Sequence, residues 1–173
     1  MKLNPAQGQL ALKFVTPRAP SGMWETPNLL LQKFPAPSFQ ATVEINASGN
    51  ERGDECGLIV FGYDHCRLGI LNTGDSRELR LIECHEAHEG GEEREVATAR
   101  LTDSSVVRLR VDVEDGGVCR FSWNAGGESF HAIGDAFQAR ESRWVGAKVG
   151  LYAKAKVGTS EGRYATFSNF RVK

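Results

Sequence analysis

No apolar run in this sequence approaches the roughly 20 residues that a membrane-spanning helix needs, and Met1 to Phe14 lacks the basic start and long apolar stretch of a secretory signal. These absences point to a soluble chain, cytoplasmic rather than secreted. An excess of charge of either sign is also missing: 21 Lys plus Arg face 22 Asp plus Glu, for a net charge of -1. Such a chain has no broad positive field to draw a phosphate backbone or an anionic membrane surface, so neither nucleic acid nor membrane is an expected partner. Cysteine is scarce. Cys56, Cys66, Cys84 and Cys119 lie in or beside apolar stretches with no close pairing, and 173 residues can bury enough surface to fold without staples, which predicts reduced, buried thiols. Helical stripes are nearly absent. Ala136 to Arg143 has the composition for a turn or two, and Glu92 to Leu101 holds helix formers with no apolar face.

What the sequence has is a two-residue rhythm. Phe39, Ala41, Val43 and Ile45 alternate with Gln40, Thr42 and Glu44, which predicts a half-buried strand. The pattern returns at Val107, Leu109, Val111 and Val113, and again at Cys119, Phe121 and Trp123, with Glu114-Asp115-Gly116-Gly117 as the hairpin turn between them. Trp123 is thereby placed on an inward row. Leu58 to Phe61 is continuously apolar and fits a strand covered on both faces, while Val145, Ala147, Val149, Leu151 and Ala153 form another inward row. Adding Leu10 to Val15, Arg67 to Leu71, Leu79 to Cys84, Glu95 to Leu101 and Tyr164 to Val172 gives about ten strands, punctuated by 19 glycines. The fold class expected is all-β, two antiparallel sheets packed as a sandwich in one domain over 1–173. Pro17, Pro20, Pro27, Pro35 and Pro37 crowd the first quarter and predict loop or sheet edge there.

Few constellations carry chemistry. Cys84, His85 and His88 are residue types that bind zinc, but two residues between the histidines do not make H-E-x-x-H, and solvated polar groups before the Gly90-Gly91 turn explain the same letters. Gly158-Thr159-Ser160-Glu161-Gly162 matches G-x-S-x-G, whose nucleophile requires a strand-to-helix elbow; here a strand opens at Tyr164 instead. Asn46-Ala47-Ser48 would accept a glycan only outside the cell, and no phosphate loop ending in Gly-Lys-Ser/Thr is present. Glycoside hydrolysis needs two carboxylates facing one sugar, and the spacing nominates no pair, so no catalytic residue is assigned. Aromatics are more suggestive. Trp24, Tyr63, Phe130 and Trp144 lie in loop-like or strand-end settings where a flat ring can stack on a sugar, and Arg143 stands beside Trp144.

Four blocks in order resemble one family. Trp24 to Phe39 (WETPNLLLQKFPAPSF) is similar to the opening segment of the C-terminal β-sandwich domain of family 43 β-xylosidases. Gly57 to Asp64 (GLIVFGYD) resembles that domain's G-L-I-V-x-G-x-D, Phe121 to Phe130 (FSWNAGGESF) its F-x-x-S-x-D-G-x-x-F, and Arg143 to Leu151 (RWVGAKVGL) its R-W-x-G-A-K-x-G-L. The resemblance implies a concanavalin A-like jelly roll set behind a five-bladed catalytic propeller, with residues 1–9 as linker from that propeller, which is missing here. It implies a non-catalytic accessory domain that packs on the propeller and shapes its sugar pocket, with Trp144 as the aromatic delivered to the pocket rim. An independent carbohydrate-binding module for xylan-type oligosaccharides is the alternative, and self-association of a chain without its partner is a further expectation. No cofactor is expected. Many relatives carry G-Y-A-D-F-D-x-F-R-V on the last strand where this chain has Thr166 and Ser168, which leaves a calcium ion there without charged ligands.

Overall fold

The computed structural model describes residues 1–15, 22–26, 28–101, 106–156 and 162–173. Among them are fourteen strands: β1 (Lys2–Asn4), β2 (Gln9–Lys13), β3 (Leu29–Lys33), β4 (Phe39–Asn46), β5 (Glu55–Phe61), β6 (His65–Asn72), β7 (Arg77–Cys84), β8 (Glu93–Leu101), β9 (Val106–Glu114), β10 (Val118–Asn124), β11 (His131–Ala132), β12 (Phe137–Gln138), β13 (Lys148–Lys154) and β14 (Tyr164–Val172). They form two antiparallel sheets. One runs β1-β2-β14-β4-β9-β10-β11, with β12 also on β10; the other runs β3-β13-β5-β6-β7-β8. Val43, Ile45, Leu109, Val111, Phe121 and Phe167 of the first sheet meet Leu58, Val60, Leu68, Ile70, Leu81 and Leu151 of the second in one buried layer. The alternation read from β4 and β9 is therefore the inward face of one sheet, and the all-β sandwich stands.

The double-sided strand has a specific cover. Every residue of β5 is buried. Its even-numbered side chains face the partner sheet, while Ile59 and Phe61 join Tyr152 of β13 and Met23 in a second apolar cluster on the far face. Met23 lies in a single 3₁₀ turn, Met23–Glu25, laid across that face and tied down where the Met23 amide donates to Glu93 Oε1 at 3.0 Å.

Several expectations change. Ala136 to Arg143 forms no helix: Phe137 and Gln138 pair with Cys119 and Val118 as β12, because a short stretch beside an open sheet edge gains more from ladder bonds than from one helical turn. Glu93–Leu101, by contrast, is strand throughout, as expected for Glu95 to Leu101. Residues 2–4, expected as linker, pair with β2 as an exposed edge strand. Val145 and Ala147 stand outside β13 and are half-buried, so only Val149, Leu151 and Ala153 continue the inward row. Trp123 packs against the core but is half-exposed, with the His131 ring 5.3 Å away, because only the two-residue β11 lies beyond it. The four cysteines are free and buried, and burial pushes the Cys56 and Cys119 thiols up to about 12. Pro17, Pro20, Pro27 and all of the G-x-S-x-G stretch except Gly162 lie outside the described residues.

A charged network is buried on the far face of the second sheet. Arg67, 1% exposed, donates from Nε to Glu55 Oε1 at 2.8 Å and from Nη1 and Nη2 to the two oxygens of Glu93 at 2.6 and 2.8 Å. Tyr152 donates its hydroxyl to Glu55 at 2.6 Å. Burial opposes ionisation of Glu55, but the Arg67 and Lys154 charges and the hydrogen bonds from Arg67 and Tyr152 outweigh it and hold the carboxyl at about 2. Burial and the Arg67 charge hold the His65 imidazole, 3.7 Å from Glu93, down to about 4 against the opposing pull of that carboxylate.

An acid-sensitivity prediction follows from the sign of these shifts. The unfolded chain binds a proton at His65 near the ordinary 6.5, whereas the folded chain resists until about 4, so stability falls as pH drops through that window. Glu55, ordinary value 4.5, extends the loss toward about 2. The His65 share is about 3 kcal/mol at full titration. Melting temperature measured against pH should fall from 6.5 to 4, and His65→Gln should flatten that limb; an unchanged slope in the variant would refute the assignment.

Candidate functional site

Three loops meet at one end of the sandwich, and Asp64 fastens them. It follows the Phe61 end of β5, is nearly buried, and accepts hydrogen bonds from His85 Nδ1 at 2.9 Å, the Glu86 amide at 2.9 Å and Arg140 Nη1 at 3.1 Å. These donors outweigh burial and keep its carboxyl below the usual range. The backbone completes the lashing: the Tyr63 amide donates to Glu141 O and the Ala87 amide to Tyr63 O, each at 2.8 Å. Gly62 permits the approach, since a Cβ there would fall 2.0 Å from the Arg140 carbonyl oxygen.

The third loop ends in a two-residue turn. Ser142 and Val145 exchange backbone hydrogen bonds at 2.9 and 3.2 Å, which leaves Arg143 and Trp144 at the tip. Trp144 occupies the second tip position with φ +68°, a place that turn chemistry gives to glycine or asparagine. Its side chain is 94% exposed. A bulky residue in left-handed backbone costs about 1–2 kcal/mol, and a bare indole gains nothing from burial to offset it, so folding alone does not account for the residue. Arg143 is exposed beside it.

The other aromatics fall in two places. Trp24 stacks on Phe61 at 5.3 Å and on Tyr63 at 6.4 Å, and His88 tilts against Tyr63 at 4.1 Å. Trp24 and Tyr63 are half-buried, and Arg140 reaches 5.9 Å from the Tyr63 ring. Tyr63 thus bonds to the loop that carries Arg143 and Trp144, with Trp24 stacked behind it. Phe130 is not part of this group. It lies on the outer face of the other sheet, with the Arg110 guanidinium 4.3 Å from its ring centre.

The zinc-like letters disperse. Cys84 donates its thiol to Gly91 O, His85 turns to Asp64, and His88 instead comes within 4.8 Å of carboxylate oxygens of Glu86 and Glu89. Glu86 is already paired with Arg140 at 2.5 Å. On the last strand Thr166 and Ser168 stand opposite Asn46 and Glu44, and Glu44 is engaged by Arg108 at 3.0 Å and Asn169 at 2.7 Å. Sequence reasoning missed His85, Glu86 and Arg140 as loop fasteners. The one signal was the aspartate closing GLIVFGYD, a buried-strand end where a lone carboxylate needs donors from elsewhere.

Comparison with solved structures supports the same architecture. An engineered GH43 glycoside hydrolase described as both endo-xylanase and exo-arabinofuranosidase superposes with TM-score 0.83 at 17% identity, over 96% of this chain and 34% of its own. A bifunctional GH43-CE protein of Bacteroides eggerthii gives 0.82 at 22% identity, over 99% and 22%. The xylan β-1,4-xylosidase of Bacillus halodurans C-125 gives 0.75 at 17%, over 95% and 32%. This chain therefore spans about a third or less of the length of each. No curated protein matches it significantly. The model of the β-xylosidase C-terminal concanavalin A-like domain matches residues 1–173 without remainder. Two stacked antiparallel sheets, the ordered blocks and that full-length match together place the chain in the GH43 β-xylosidase C-terminal concanavalin A-like domain family.

Proposed function

We propose that this domain is the non-catalytic accessory sandwich of a GH43 glycosidase, packing on the catalytic domain and presenting Trp144 to the rim of its sugar pocket. The observation that carries the reading is the 94% exposed indole at φ +68° on a turn whose base is lashed by Asp64 and Arg140. A rigid stem with a costly, bare aromatic tip suits delivery of a stacking surface to another body. The chemistry within the chain agrees. Among the described residues, the three carboxylates whose surroundings shift them, Glu55, Asp64 and Glu93, are all held ionised by cationic groups and hydrogen-bond donors, the opposite of what a proton donor to a glycosidic oxygen requires. The last strand, with Glu44 engaged on both oxygens, is not read as a calcium site.

The test separates function from folding. In the enzyme that carries this sandwich, Trp144→Ala is expected to lower kcat/KM on an aryl β-xyloside by roughly tenfold. Trp144→Gly should do the same while the melting temperature holds or rises, since glycine removes a backbone cost of about 1 kcal/mol. Unchanged kcat/KM in both variants would sink the pocket-wall role. Turnover of aryl xylosides by the sandwich alone, abolished by one carboxylate substitution, would refute the non-catalytic assignment.

A further inference from the structure

The outer face of the first sheet holds a groove of about 290 Å³. A β-bulge shapes it. Between Ser168, opposite Glu44, and Arg171, opposite Thr42, β14 carries one residue more than β4, with Asn169 at φ +52°. The extra residue lets Phe167 and Phe170, three apart, both pack on the core, and it re-aims the outward side chains that follow. Asn169 turns onto Glu44 at 2.7 Å. Arg171 then lines the groove opposite Thr42, and Lys173 lies beside Gln40, with which it exchanges backbone bonds at 2.8 and 2.9 Å.

The groove's electrostatics are one-sided. Arg108, Arg171 and Lys173 line it against the single carboxylate of Glu44. Glu44 is committed, one oxygen to Arg108 and the other to Asn169. Gln40 is committed to Asp112 at 2.7 Å. Among the described residues, the Arg171 guanidinium and the Lys173 ammonium have no ion pair or side-chain hydrogen bond. Two free cations therefore flank a cavity of about one sugar ring's scale. At its side stands the half-buried ring of Phe130, backed by Arg110, which is fixed in turn by Ser122 and Asp112 at 3.0 Å each. A flat ring suits the apolar face of a pyranose, and a guanidinium fork suits a carboxylate.

We infer that this groove is a binding site for a uronate-bearing saccharide, with the sugar face on Phe130 and its carboxylate between Arg171 and Lys173. A neutral sugar would leave both cations unused, and a plain inorganic anion would leave Phe130 unused. The site is independent of the accessory role and of Trp144, since it lies on the opposite sheet from the loops that Asp64 joins.

Titration calorimetry of the full chain tests it with three probes: a glucuronate-substituted xylo-oligosaccharide, unsubstituted xylotetraose, and inorganic sulfate. Saturable binding of the first is expected, at least roughly tenfold tighter than either of the others, because one charge-assisted contact is worth about that much. Arg171→Gln and Phe130→Ala should each weaken it by roughly tenfold. Trp144→Ala should leave it unchanged. Absence of binding, equal affinity for xylotetraose or sulfate, or wild-type affinity in both groove variants would each overturn the site.

Discussion

Replacing Arg67 with alanine is expected to cost the domain roughly 3–5 kcal/mol, the largest effect of any single side chain considered, because it strands two carboxylates in a covered site. Glu55 and Glu93 both depend on this guanidinium, and Glu55 is as deeply buried as Arg67 itself. Domains of this size have about 5–15 kcal/mol in all, so the melting temperature should fall on the order of 10 °C. Two controls separate lost charge pairing from lost packing. The penalty should shrink below pH 5, because Glu55 without its partner neutralises by taking a proton. An Arg67→Met chain that also carries Glu55→Gln and Glu93→Gln should recover much of the loss. A cost below about 1 kcal/mol at pH 7, measured by urea denaturation, would show that the network is solvated rather than sealed.

Gly69→Ala is the second large effect, roughly 2–4 kcal/mol from overpacking and a broken buried hydrogen bond. Gly69 lies on β6 directly across from Gly57, and Tyr152 pairs with Gly57 from the other side. The phenol crosses these bare positions to reach Glu55, so a Cβ on Gly69 would stand 1.9 Å from the Tyr152 hydroxyl and 3.2 Å from the Cys56 carbonyl oxygen. Tyr152 must then leave its place, and Glu55 loses a donor. Tyr152→Phe removes the same hydrogen bond alone, so the double variant should cost clearly less than the sum of the two single changes. Strict additivity, read from denaturation midpoints, would mean that the glycine is required for some other reason.

Much of the scaffold was legible because strand burial is local in sequence. Each second residue of β4 and β9 turns to the same side, so their apolar rows could be read without knowing the partner, and the unbroken apolar run of β5 announced a cover on both faces. The identity of that cover, Met23, could not be read, since it comes from a turn more than thirty residues earlier. The network was invisible for the same reason. Glu55, Arg67, Glu93 and Tyr152 look like ordinary solvated positions one at a time, and only the antiparallel register of β13, β5 and β6 and the approach of Glu93 bring them together.

The candidate sites divide along the same line. Trp144, Trp24, Tyr63 and Phe130 are candidates by side-chain chemistry, which a sequence displays, and Arg143 by its place beside Trp144, but their grouping is a matter of tertiary placement. The loops around Asp64 hold the first four at one end, while Phe130 belongs to a groove on the other sheet made by a bulge in β14. Ala136 to Arg143 has the composition for a helical turn or two, yet Phe137 and Gln138 join the ladder because local propensity is weaker than an available sheet edge.

The amino-acid order by itself determined that this chain is a two-layered β protein of the GH43 C-terminal type, since side-chain period and block order are properties of the string. Tertiary structure alone decided which charges are buried, which aromatic stands bare at a strained turn, and where unpaired cations gather. Those depend on contacts between residues far apart in sequence, whose free energies are set by shared burial and mutual distance and by nothing that any one residue carries alone.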